Sequence, residues 1–123
     1  MQPLHVVLLQ SDSGTARSIV SALANSSTLV HQVQSVGELR SSIAKHRADV
    51  AILDMEAASI PDVQHLSREF PQACIVCTHR LADEDLWTAA LNAGAADVCP
   101  PSDTQSILRV ATRSGTFRKS AVA

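Results

Sequence analysis

Three oxygen-bearing side chains follow apolar runs of this sequence, at points where predicted strands end. Asp12 follows the first run, Asp54 the run Val50–Leu53, and Thr78 a later run. Carboxylate and hydroxyl oxygens suit a hard cation such as Mg²⁺. A cation beside one carboxylate could neutralise an incoming phosphoryl group and favour its transfer onto that carboxylate. The ordinary alternative for Asp54 is to cap the next turn, a common use of Asp.

The elements that carry these residues predict an α/β fold. Val50–Leu53 is apolar at every position, as in a central strand that is buried on both faces. Five strand-like runs alternate with five helical patterns along the chain, which indicates a parallel sheet covered on both faces. Right-handed crossovers place the carboxyl ends of such strands at one edge. We therefore expect Asp12, Asp54 and Thr78 to converge there.

Local signals predict where several helices begin and which faces they bury. Ser35 with Glu38, and Ser102 with Gln105, have the spacing of capping boxes. The acidic run 83–85 suits the positive end of a helix dipole. The core face of the helix that follows this run is predicted to be Leu86, Trp87, Ala90 and Leu91.

Composition and charge narrow the class of protein. The 123 residues are 46% hydrophobic and 18% charged, typical of one globular domain. A net charge of -2 gives no electrostatic reason to bind nucleic acid or a membrane surface. No apolar run approaches a membrane span, and the first residues lack a basic signal region, so we expect a cytoplasmic protein. The predicted domain is 1–112, followed by a basic tail or linker, 113–123.

Cysteine and histidine supply no metal motif by spacing. Cys74 and Cys77 form a Cys-x-x-Cys pair, but residues three apart on a strand point to opposite faces, so both are predicted to fill the core. His79 falls beside the proposed site and is interpreted as a loop residue at its rim. The other histidines are scattered and show no metal spacing: His5, His31, His46 and His65.

The order of elements resembles that of a known family. Asp54 and Thr78 stand at the ends of consecutive predicted strands, and the run Gly94-Ala95-Ala96-Asp97 leads into the last strand. In these features residues 4–111 resemble the receiver domain of two-component response regulators, related to the chemotaxis response regulator. The resemblance implies a doubly wound, flavodoxin-like three-layer sandwich with strand order 2-1-3-4-5. It also implies a signalling module rather than an enzyme.

The resemblance assigns roles to individual residues. Asp54 would accept a phosphoryl group from a histidine kinase or phosphotransfer protein, and Thr78 would be the switch hydroxyl. Asp12, Asp54 and Glu56 would be the candidate ligands of a weakly bound Mg²⁺. The fourth helix, fifth strand and fifth helix would form the partner-binding or homodimer face. Glu56 and Arg80, two residues after Asp54 and Thr78, have opposite charges and are predicted to approach each other across the pocket mouth.

The sequence departs from the resembled pattern at several positions. Ser11 stands where the family has a second acidic residue, Pro101 where it has a lysine, and Val98 where it has an aromatic switch residue. The spacing between Asp54 and Thr78 is also shorter than in typical members. These departures predict that Asp54 is phosphorylated slowly and that the structural response to phosphorylation is small. They leave open an alternative, a pseudo-receiver that binds partners without being phosphorylated.

Overall fold

Alternating strands and helices make up the computed structural model, which describes residues 4–24, 28–81 and 83–111. The strands are β1 (Leu4–Leu9), β2 (Thr28–Val33), β3 (Val50–Asp54), β4 (Cys74–Thr78) and β5 (Asp97–Cys99). The helices are α1 (Ser13–Leu23), α2 (Val36–His46), α3 (Ile60–Glu69), α4 (Glu84–Ala93) and α5, helical over 104–111. None of the helices in these ranges has the length and apolarity needed to cross a membrane. The predicted tail, 113–123, lies outside the described residues.

The sheet is parallel throughout, in the order β2-β1-β3-β4-β5. This confirms the predicted doubly wound fold. Every residue of β3 is buried. Val50 and Ile52 pack in the core cluster that contains α1 and α5, whereas Ala51 and Leu53 pack in the cluster that contains α2, α3 and α4. The unbroken apolar run of β3 is therefore explained by a helical layer on each face.

The second and third helices begin at serine caps. The Ser35 side chain accepts a hydrogen bond from the Glu38 backbone N–H, as predicted. The Glu38 carboxylate, however, accepts from the N–H of Gln34, one residue before the cap, so the predicted box is only half formed. A complete capping box occurs instead at α3, where Ser59 and Asp62 each accept from the other's N–H.

The predicted cap of the last helix was wrong by one residue. Asp103, not Ser102, accepts hydrogen bonds from the backbone N–H and hydroxyl of Ser106. The Asp103 N–H bonds to the Pro100 carbonyl oxygen at 3.0 Å, so a turn occupies Ser102 and the helix starts after it. Asp is at least as good a cap as Ser, so the helix loses nothing by the shift.

The predicted core face of α4 was wrong at one position. Ala90 is fully buried, and Leu86 and Leu91 are half-buried. Trp87 is 46% exposed, and its indole N–H donates to Asp97 Oδ1 at 3.1 Å. Trp87 therefore links the surface of α4 to the start of β5 rather than filling the core.

Gly94 ends α4 in a conformation that only glycine adopts easily. Its φ is 116°, in the left-handed region. A Cβ at this position would collide with the Oγ and Cβ atoms of Ser67. Gly94 thus permits close contact with α3 while it turns the chain toward β5.

The cysteines are buried thiols in the core, as predicted. Cys74 and Cys77 pack in opposite core clusters, one on each face of the sheet. Burial raises the pKa of Cys77 to about 12. Burial, assisted by Asp97 and Asp103, raises the pKa of Cys99 to about 11. Because only the thiolate is a good nucleophile or metal ligand, these two residues have no ready redox or zinc chemistry.

Candidate functional site

Asp54 and Thr78 end neighbouring strands at the carboxyl edge of the sheet. They are paired residues in the β3–β4 register, so their side chains project on the same side. Asp54 is 1% exposed and Thr78 is fully buried. A carboxylate and a hydroxyl at such positions are unusual in a core, and each must have hydrogen-bond partners.

Three donors hold the Asp54 carboxylate. Oδ2 accepts from the backbone N–H of Ser11 at 3.1 Å and also from the Ser11 hydroxyl. Oδ1 accepts from the backbone N–H of Glu56 at 2.9 Å. Ser11 replaces an acidic residue of the resembled pattern, yet it has a positive role here, since it supplies two of the three donors.

Gln10 is a site residue that sequence reasoning missed. It is 6% exposed, and its amide nitrogen lies 3.5 Å from Thr78 Oγ1, a long donor distance. Its amide oxygen accepts from the Asp12 N–H at 3.3 Å. Gln10 is the first polar residue after β1, at the same edge as Asp54, and that position was the available signal. It links the β1–α1 loop to the predicted switch hydroxyl.

Asp12 lies at this edge but serves first as the N-cap of α1. Its Oδ2 accepts from the backbone N–H of Thr15 at 2.8 Å and from the Thr15 hydroxyl at 2.6 Å. These hydrogen bonds lower the pKa of Asp12, and the charge of Arg80 lowers it further. Asp12 is therefore an exposed, ionised carboxylate whose nearest partners belong to its own helix.

The predicted ion pair between Glu56 and Arg80 is present. Arg80 Nη2 lies 2.7 Å from Glu56 Oε1, and Arg80 Nε donates to both carboxylate oxygens. Glu56 raises the pKa of Arg80, chiefly through these hydrogen bonds, with smaller contributions from Asp12 and Asp54. The Arg80 guanidinium thus pairs with Glu56 and also interacts, at longer range, with the charges of Asp12 and Asp54.

A pocket of about 390 Å³ opens at this edge. Ser11 lines the pocket and hydrogen-bonds Asp54, and Gln10 lines the pocket and hydrogen-bonds Thr78. These two residues screen the buried side chains of Asp54 and Thr78 from solvent. The remaining lining residues are Asp12, Thr15, Glu56, Arg80 and Pro101. Pro101, at the position of the family's lysine, brings neither an ammonium group nor an N–H.

The three candidate metal ligands suit Mg²⁺ by their chemistry but are not arranged around one point. The carboxylate oxygens of Asp12, Asp54 and Glu56 do not all lie within 4.8 Å of one another. Each carboxylate is also already hydrogen-bonded, to Thr15, Ser11 and Arg80 respectively. An all-oxygen set fits a hard cation. Such a cation would have to compete with these partners.

A second cluster corrects the earlier conclusion that the histidines are scattered. Within the described residues, His5, His31 and His46 form the one group of His, Cys, Asp or Glu side chains whose ligand atoms all lie within 4.8 Å. Sequence spacing could not reveal it, because each histidine belongs to a different element. The signal was in strand register: Val7 pairs with His31, and His5 lies two residues before Val7 on the same face. His79 is half-buried near the pocket, as predicted, and its Nδ1 accepts the N–H of Leu81 at 2.9 Å.

Comparison with known proteins finds similar folds among solved structures but no match by sequence. No protein-family model matches the chain, and no curated protein matches it. A response regulator receiver domain protein (CheY-like) from Methanospirillum hungatei superposes with a TM-score of 0.85 at 14% identity, over 98% of this chain and 99% of that one. A response regulator from Thermotoga maritima gives 0.83 at 18% identity, over 94% and 99%. The signal receiver domain of an HD domain-containing protein from Pseudomonas fluorescens gives 0.84 at 14% identity, over 97% and 99%. Identities this low show a shared fold.

Proposed function

We propose that this chain, which has the fold of response regulator receiver domains, accepts a phosphoryl group on Asp54 in two-component signal transduction. The donor would be the phosphohistidine of a histidine kinase or phosphotransfer protein. One observation carries the proposal: a buried carboxylate ends the central strand in register with a buried hydroxyl, next to a pocket that contains an arginine. A carboxylate used only to cap a turn would need neither neighbour.

In the proposed reaction, Asp54 Oδ2 is the nucleophile because its partner, Ser11, lines the pocket. Oδ2 forms a bond to phosphorus as the phosphorus–nitrogen bond of the donor breaks, and the bonding pair stays on the departing imidazole. Oδ1 keeps its hydrogen bond to the Glu56 N–H, which holds the carboxylate in place. The Ser11 hydroxyl must leave Oδ2, and it is then close enough to donate to a phosphoryl oxygen.

Charge decides how readily the product forms. A phosphoryl group brings about two negative charges into the pocket. Pro101 offers no donor, so Arg80 is the cation that the pocket supplies. An exposed ion pair such as that of Arg80 with Glu56 contributes little to stability, so it can be exchanged readily for a contact with the phosphoryl group. The planar guanidinium suits two phosphoryl oxygens at once.

Mg²⁺ would be held by Asp12, Asp54 and Glu56. When bound, it supplies positive charge that lowers the repulsion between the carboxylate and the incoming phosphoryl group. Its affinity is expected to be weak, because each of these carboxylates already has a partner and Ser11 adds no charge. Arg80 also repels a second cation at the pocket mouth.

The signal would pass through Thr78 to the face formed by α4, β5 and α5. The long contact between Thr78 and Gln10 is easily given up, so the Thr78 hydroxyl can turn toward a phosphoryl oxygen. Trp87 is exposed on this face and is tied to Asp97 at the start of β5, which suits a partner or homodimer contact. Solution scattering that shows only monomer before and after phosphorylation would remove the homodimer.

The experiment is intact-mass measurement after incubation with acetyl phosphate. We expect the parent to gain one phosphoryl group slowly, and faster with Mg²⁺. Asp54→Ala should gain none, and Asp85→Ala, which removes an exposed carboxylate outside the pocket, should behave like the parent. A parent that stays unmodified at every Mg²⁺ concentration would make this chain a pseudo-receiver. An adduct that persists in Asp54→Ala would show that another residue is the acceptor.

A further inference from the structure

Three histidines meet at the amino end of the sheet, opposite the Asp54 pocket. His5 is the second residue of β1 and pairs with Leu29 of β2. His31 lies two residues beyond Leu29, on the same face of the sheet. Helix α2 packs on β1 and β2, and its last residue is His46. Because α2 runs back along the sheet, its final turn reaches the strand ends that carry the other two histidines.

The ring nitrogens are close enough to share one ion. His5 Nδ1 lies 3.3 Å from His31 Nε2. Two nitrogens on one tetrahedral zinc ion are separated by about 3.3–3.4 Å when each zinc–nitrogen bond is about 2.0–2.1 Å. The third ring stacks on His31 with centroids 3.7 Å apart. All three side chains are half-buried, so the cluster is open to ions from solvent.

The surroundings of His31 disfavour its charged form. Burial lowers the pKa of His31, and His46, His5 and Lys45 lower it further. The cluster also lies at the carboxyl end of α2, where the helix dipole favours a cation. Asp49 is the nearby acidic group, and its carboxylate accepts the backbone N–H of His5.

A simple stack of imidazoles is the plain alternative. The rings of His31 and His46 are within 7° of parallel, so their nitrogen lone pairs lie in two separate, nearly parallel planes. At least one ring must rotate to direct its nitrogen at a shared ion. The His5 ring is within 10° of parallel to both other rings, and its Nδ1 lies at hydrogen-bond distance from His31 Nε2. Stacking and one hydrogen bond therefore hold the three rings together without a metal. A metal ion would use the same three ligand nitrogens, which lie within 4.8 Å of one another.

We propose that His5, His31 and His46 form a binding site for a divalent transition-metal ion of the zinc class, with water completing the coordination. Imidazole nitrogen suits Zn²⁺, Cu²⁺ and Ni²⁺, and does not suit Mg²⁺. The ion would fasten the end of α2 to the edge of the sheet. The site is independent of Asp54, so it holds whether or not the chain is phosphorylated.

The experiment is calorimetric titration of the untagged full chain with ZnCl₂, in excess Mg²⁺ so that carboxylates do not contribute. We expect one Zn²⁺ per chain. His31→Gln should weaken binding by at least about a hundredfold, since one of three ligands is lost. His65→Gln, which removes a histidine outside the cluster, should leave the affinity unchanged. Thermal melts in a chelator establish that both variants are folded.

A second measurement needs no variant. Imidazole nitrogen resonances of the parent should shift on Zn²⁺ addition for His5, His31 and His46, and stay in place for His65 and His79. The proposal is overturned if the parent binds no stoichiometric Zn²⁺. It is equally overturned if His31→Gln binds as tightly as the parent, or if the resonances that move are those of His65 and His79.

Discussion

The two ends of the sheet collect opposite kinds of polar group. At the carboxyl edge, Asp54 is buried and held by backbone and hydroxyl donors, and Arg80 balances the charge of its neighbours. At the amino end, three half-buried imidazoles have one another as ring partners. One region is arranged around carboxylates, and the other is arranged around imidazole rings.

The direction of the helices gives a physical reason for this difference. In a parallel α/β fold, helices begin at the carboxyl edge of the sheet and end at its amino edge. Helix amino ends carry partial positive charge and favour carboxylates such as Asp12, the cap of α1. Helix carboxyl ends favour cations, and His46 ends α2. We therefore expect the two regions to differ in metal preference, with hard cations at one end and imidazole-seeking cations at the other.

The largest change to this comparison should come from Ser11→Asp. A second acidic residue beside Asp54 would add a metal ligand and remove the hydroxyl donor. We expect Mg²⁺ to bind at least about tenfold more tightly, because an added charge close to the ion lowers its free energy when bound. Without Mg²⁺ the variant should melt at a lower temperature than the parent, since two carboxylates then repel each other.

Calorimetry with MgCl₂ and thermal melts with and without Mg²⁺ measure both effects. Ser41→Asp places the same charge on exposed α2 and serves as the control. Equal Mg²⁺ affinity in the parent and in Ser11→Asp would mean that the carboxyl edge is not a cation site at all. The two ends of the sheet would then not differ in the way that metal preference predicts.

A smaller effect is expected from Arg80→Ala. Its removal leaves Glu56 without its ion-pair partner and takes a repelling cation from the pocket mouth. Mg²⁺ affinity should rise by about threefold. Phosphorylation measured at saturating Mg²⁺ should become slower, because the guanidinium that would contact the phosphoryl group is absent.

Arg40→Ala is the matched control for that variant. Arg40 forms a similar exposed ion pair with Glu69, away from the pocket. It should change neither Mg²⁺ affinity nor the phosphorylation rate. If both arginine variants alter phosphorylation equally, the effect belongs to overall surface charge and Arg80 has no special part in the reaction.

The smallest effect concerns pH and the imidazole cluster. The pKa of His31 in the folded chain lies below its ordinary value of 6.5, so the unfolded chain binds more protons in that range. The stability that His31 contributes is therefore present above about pH 6.5 and is lost as the pH falls below it. The groups that face His31 are His5, His46 and Lys45, with Asp49 nearby.

Urea unfolding between pH 7.5 and 5 tests this sign. The free energy of unfolding should fall less steeply toward low pH in His31→Gln than in the parent. His65→Gln, away from the cluster, should keep the slope of the parent. A parent whose stability rises on acidification would contradict the lowered pKa of His31.

Much of the fold could be predicted from the sequence because it depends on local pattern and on one topological rule. The apolar run of β3 implied burial on both faces, and the alternation of elements implied a parallel sheet. Asp54 and Thr78 followed from their places at strand ends. The Glu56–Arg80 pair could be predicted because both residues lie two positions beyond those ends and have opposite charges.

The sequence could not decide in which direction individual side chains point or which groups they contact. The choice of Asp103 over Ser102 as a cap depended on a turn closed by Pro100, and the exposure of Trp87 depended on how α4 rests on the sheet. Ser11 and Gln10 became donors to Asp54 and Thr78 only through the path of the β1–α1 loop.

The histidine cluster shows this division most clearly. No histidine of the cluster stands out within its own strand or helix, and the spacing of His5, His31 and His46 along the chain matches no metal-binding motif. Parallel register brings the first two onto one face, and the packing of α2 brings the third above them. The sequence by itself determined the layers and the order of elements, because periodicity and chain direction are local. Only the tertiary structure decided which side chains meet, because that depends on register and packing between segments far apart in the chain.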